Sequence, residues 1–218
     1  MLNFIILHLN VISLIVWTVL FVVVLIKYIK PLWLGKISIL TLLGVVIFLH
    51  ILYAGFVTWA QYHVWSVTDE QTRFFLIQPL SNLAPLPSYM EWTRHYFEQP
   101  MGYFVFYVLG RVWLAVGLLF LVTGLFYGFL RFIQKYRDGF GVHGPELIAT
   151  LLLIAGWPNV LLVILLGFIF AAIISYVSVL KNIERTRMEN AFLITTPIVM
   201  LFGPVLFKAL DLSTTFVL

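Results

Sequence analysis

The stretch RDGFGVHGPELIATLLLIAGWPN, residues 137–159, holds the densest group of side chains able to do chemistry. Asp138, His143 and Glu146 stand within nine residues on a loop with three glycines. Two carboxylates flanking a histidine are the parts of a proton relay or a metal-ligand cluster. The same residues also read as the opening of a helix, because proline suits the first helical position and an acid suits the first turn. The glycine spacing of DGFGVHG resembles a phosphate loop only in part, since no strand precedes it and no Lys-Ser/Thr pair follows.

Three further groups of residues are candidates. Arg111, in VLGRVWLAVG, lies about 12 Å into an apolar segment if that segment begins at Tyr103. An ionisable group at such depth marks a contact with a partner carboxylate or a lipid phosphate, unless it snorkels to the headgroups. His50 and His8 sit on neighbouring apolar segments and raise the question of a haem ligand pair. Counted from the turn at 27–36, His8 lies about 19 residues up and His50 about 13, a mismatch of roughly 9 Å in depth. A neutral histidine bonded to a neighbouring helix fits His50 better, and no cofactor is expected. Gly117, Gly124 and Gly128, with Gly110, form a line of small residues that lets another helix approach closely, as do Gly167 and Ala171.

The elements that must position these residues are membrane helices. Of 218 residues 62% are hydrophobic and 10% charged, against about 45–50% and about 25% in soluble domains. The apolar runs are too long for barrel strands, and backbone groups in hydrocarbon need internal partners, so the expected fold is an all-α polytopic bundle forming a single membrane domain over 1–218. The net charge of +4 lies in short loops, where it sets topology and gives no nucleic-acid surface. With no cysteine, disulfides and thiolate metal sites are excluded. The N-terminus runs into apolar sequence without a basic leader, so no cleaved signal is expected.

Six segments are expected: 2–26, 37–60, 103–130, a short helix ending at Gly156, a full helix from the Trp157-Pro158 break to Leu180, and 191–209. Residues 61–102 form the long polar loop, with Trp92, Tyr96 and Phe97 as an interfacial part. Charge sets the sides. The turn 27–36 has three lysines and no acid, whereas the loop 61–102 has four acids against two arginines. Basic residues outnumber acids three to two in 131–146 and three to one in 181–187. The turn and the last two loops are then cytoplasmic, the long loop is outside, and both termini are outside. Residues 147–180 must double back.

A glycine-rich cytoplasmic loop, a short apolar helix, GWPN, the helix VLLVILLGFIFAAIISYVSVL, a basic loop and a helix with TTPIVMLFG follow in order. This order resembles the membrane core of type IV prepilin peptidases, the GxGD aspartic proteases of membranes, over roughly residues 125–205. The resemblance implies six helices and a cytoplasmic-side pair of aspartates, one ending the first helix and one in the glycine-rich loop. Here GVHG stands where GxGD belongs, with Gly144 at the aspartate's place; aligned on GFG (139–141), Val142 follows. The first 68 residues contain no carboxylate. Two carboxylates must share a proton across the scissile bond, so the family's site is missing. Three readings stand: a degenerate scaffold or interaction subunit of this fold; an accessory subunit of a larger respiratory or photosynthetic complex, in contact with lipids and other membrane subunits; or a protease or transporter working through Asp138, His143 and Glu146.

Overall fold

A computed structural model describes residues 8–33, 35, 37–81, 86, 88–136, 140–181 and 187–210. These residues are helical, with no strand among them. In chain order the helices are α1 (Leu9–Ile29), α2 (Ile39–Val67), α3 (Glu70–Ile77), a 3₁₀ turn (Ser88–Thr93) and α4 (Arg94–Phe97). Then come α5 (Gly102–Val108), a π turn (Leu109–Trp113), α6 (Leu114–Tyr136), α7 (Gly144–Ala155), α8 (Asn159–Leu180) and α9 (Met188–Ala209). Five stretches are long and apolar enough to cross a membrane: α1, α2, the run Gly102–Tyr136, α8 and α9. The chain is an all-α integral membrane protein. Two helices run well past their expected ends: α2 continues to Val67 and the third to Tyr136. Polar and aromatic residues at a membrane surface extend a helix as readily as apolar ones, so loss of hydropathy does not mark its end.

The chain divides into two compact units, one made of the residues up to Leu49 with those from Leu118 onward, the other of His50–Gly117. In the first, α7 is the central element. All twelve of its residues are buried, as a helix apolar on every face requires. At 1.5 Å per residue it spans about 18 Å, little more than half of a hydrocarbon core of about 30 Å. Pro145 sits in its first turn and Gly156, at φ 73°, ends it. That left-handed backbone is free to glycine and costly to other residues. Asn159 then opens α8, so the short helix and the break expected at Trp157-Pro158 are both present.

α7 packs against α1, α8 and α9. Leu147, Ile148, Leu151 and Leu152 join Val24 of α1, Val46 of α2, Leu119 and Leu130 of α6, and Phe192 and Val199 of α9. Close approach between α8 and α9 depends on glycine at two points. A Cβ on Gly167 would lie 2.7 Å from the Phe192 ring, and one on Gly203 would overlap the Asn159 amide. Pro197 and Pro204 lie inside α9. Just before the first of them, the Thr196 hydroxyl donates to the Phe192 carbonyl at 2.8 Å.

The second unit has a small core of Leu76, Phe104 and Val108 with aromatic cover. Main-chain bonds tie its irregular part together: Leu80 N–H to the Phe97 carbonyl at 2.8 Å, Met101 N–H to Ile77 at 3.2 Å and Tyr103 N–H to Gln78 at 3.1 Å. The region expected as a loop with an interfacial part is thus hydrogen-bonded, with exposed Trp92 and Tyr96 on it. Asp69 caps α3 by accepting from the Thr72 N–H at 2.7 Å, and Glu91 pairs with Arg94 at 2.8 Å.

Candidate functional site: a buried glutamate cluster at the start of α7

Glu146 and Glu189 are 2% and 1% exposed, and a carboxylate so placed is stable only with partners. Glu146 stands in the first turn of α7 and Glu189 in the first turn of α9. Each is favoured there by the partial positive charge of a helix start. They need more than the dipole, and α6 supplies it for Glu146. Arg131 forms an ion pair with Glu146 Oε1, and the Tyr127 hydroxyl lies 3.4 Å from the same oxygen. Arg131 also donates to Tyr127 at 3.1 Å and to Gln134 at 3.0 Å. Two turns of α6 therefore place a cation, a hydroxyl and an amide along one face, because residues three and four apart are neighbours.

The glycine loop serves the second glutamate. Glu189 Oε1 accepts the Gly141 N–H at 2.6 Å, a length expected of a charge-assisted bond. A Cβ on Gly144 would overlap this carboxylate, and one on Gly141 would lie 3.1 Å from it. Glycine at 144 is thus a condition for Glu189 to reach the loop backbone. Gln134 fixes the loop from the other side by donating to the Gly141 carbonyl at 2.9 Å. From α1, the Tyr28 hydroxyl donates to Asn190 at 2.7 Å, next to Glu189. Four helices, α1, α6, α7 and α9, are joined by polar contacts at one end of this unit. Each glutamate keeps its second oxygen without a hydrogen-bond partner among the described residues.

The residues singled out in sequence fall in different surroundings. Asp138 lies outside the described residues. His143 precedes α7 with no side-chain cap and is exposed, while Glu146 is buried, so the two face different media. Among the described residues no three His, Asp or Glu side chains gather as metal ligands. His50 is buried in α2. Arg111 is exposed in the π turn and donates to the Tyr107 hydroxyl at 2.7 Å. A Cβ on Gly110, Gly117, Gly124 or Gly128 would meet nothing within 4 Å among the described residues, whereas one on Gly167 would meet the Phe192 ring.

Glu189, Arg131 and Tyr28 were not legible as site residues. An acid opening an apolar helix is ordinary, and nothing in local spacing joins α6 and α9 to a loop. The available signal was a glycine loop without an acid of its own, which leaves room for one brought from elsewhere. Compared with family models, curated proteins and solved structures, the chain matches none.

Proposed function

We propose that the protein is a catalytically degenerate, prepilin-peptidase-like membrane scaffold that works as an interaction subunit. The observation that supports this reading most directly is the pairing of Glu146 with Arg131. A carboxylate paired with a guanidinium has its geometry fixed, which suits a structural tie and not an acid–base pair sharing one proton. Glu189 is likewise engaged with the loop backbone through its Oε1. In this reading the cluster faces the cytoplasm, both termini lie outside, and the glycine loop keeps its shape around a carboxylate from another helix.

The open glycine line supports the accessory-subunit reading, which is compatible with the first. A transmembrane helix of a partner subunit, laid along Gly117, Gly124 and Gly128, would gain the close backbone contact that small residues permit. Affinity purification of Gly117→Leu tests it: partners are lost while the isolated protein keeps its thermal midpoint. Unchanged partners would place the contact elsewhere. The enzymatic reading is tested by Glu146→Gln, for which the scaffold predicts an unaltered partner set and no lost turnover.

A further inference from the structure

We propose that Arg111 and Tyr107 form a seat for the phosphodiester of a membrane phospholipid. Arg111 lies in the run Gly102–Tyr136, one of the five membrane-spanning stretches. It is nine residues past Gly102, about 13 Å along the helix. Helical side chains lean toward the N-terminus, so the guanidinium reaches back one turn and donates to the Tyr107 hydroxyl at 2.7 Å. Tyr107 belongs to an aromatic group with Trp65, at 5.1 Å between ring centroids, and Trp65 also stacks on Tyr103 at 6.2 Å. Tryptophan and tyrosine gather at the headgroup level of a bilayer, which puts the guanidinium there as well.

The donors at this point exceed the acceptors. Arginine has five N–H groups, and among the described residues Arg111 has Tyr107 as its hydrogen-bond partner and no ion pair. Having accepted, the Tyr107 hydroxyl keeps its own O–H to donate. A guanidinium fork and a hydroxyl on one exposed surface suit the two free oxygens of a phosphodiester. Leu109 and Leu114, both 43% exposed, flank the site with apolar surface for acyl chains. The residues lie in or beside the π turn Leu109–Trp113, a helix distortion that is frequent at functional sites. A lipid is favoured over a partner's carboxylate because a headgroup-level aromatic group and an exposed apolar flank match both halves of a phospholipid.

The test uses the full chain, delipidated in mild detergent and titrated with phosphatidylglycerol, with retained lipid counted by native mass spectrometry. Removing hydrogen bonds to a charged group predicts that Arg111→Leu weakens retention about tenfold or more. Arg111→Lys, which keeps the charge, folds as the parent and loses the fork, weakens it several-fold, and Tyr107→Phe does so with the ring intact. Inorganic phosphate leaves the bound lipid in place. The proposal is overturned if Arg111→Leu retains lipid like the parent, if inorganic phosphate displaces the lipid, or if Arg111→Leu strips a co-purifying membrane protein with lipid retention unchanged.

Discussion

The Arg131–Glu146 pair carries unequal shares of the membrane protein's desolvation cost. The glutamate side chain is 3% exposed and the arginine 45%, so solvent screens one partner and not the other. Losing the cation leaves a buried carboxylate with only the longer Tyr127 contact, whereas losing both leaves only space. Arg131→Ala should therefore destabilise by about 1–3 kcal/mol, read as the thermal midpoint in detergent. The double variant with Glu146→Ala should cost less than the two single losses added, with a coupling of about 1 kcal/mol or more. Strict additivity would remove the pair from the account. Asp69 gives a separate test in the second unit. Its carboxylate accepts the Thr72 N–H, and the Thr72 hydroxyl adds a second bond, which holds its pKa below the ordinary aspartate value. A group depressed in the folded state contributes above its unfolded pKa and loses that contribution as pH falls through the folded one. Protection of the Thr72 amide from hydrogen exchange, relative to Asp69→Ala, should thus be present at neutral pH and vanish in acid below the ordinary carboxylate range. Equal protection in the two proteins across that range would show that the cap is not formed.

At the scale of elements, α7 and its glycine loop depend on close approach, and two glycines separate that need from mere small size. Gly144→Ala places a methyl group against the Glu189 carboxylate and should cost about 1–3 kcal/mol, as overpacking does. Gly124→Ala meets nothing within 4 Å and should be neutral or stabilising by up to about 1 kcal/mol through helix propensity. Chemical or thermal unfolding of both variants checks the contrast, and equal losses would contradict it. The short central helix itself was legible. An uncharged run of 34 residues between two basic loops cannot be one pass, and Gly156 with Pro158 marks where it turns. Helix ends were less so: Trp65 and Ser66 are as compatible with a loop as with the last turns of α2. The glutamate cluster was half legible, because Glu146 lies in the loop's own sequence while Glu189 arrives from 48 residues away, through packing of α9 that no local spacing encodes.

The whole molecule presents two kinds of surface. Much of α1, α8 and the exposed face of α6 is apolar, with large exposed residues such as Ile15, Leu125 and Ile173. Without a hydrophobic driving force between helices in hydrocarbon, association rests on close packing and on polar contacts. The open line of Gly117, Gly124 and Gly128 offers the first, and the scaffold reading makes this line, not the glutamate cluster, the working surface. The measurement that bears most directly on it is extraction of the tagged protein from its native membrane in mild detergent, with bound proteins quantified by mass spectrometry. At least one membrane partner is expected at stoichiometric amounts, retained by Glu146→Gln and lost from Gly117→Leu. A homogeneous protein with no bound partner, or a partner set indifferent to Gly117→Leu, would contradict it and turn attention to the glycine loop as a site of chemistry.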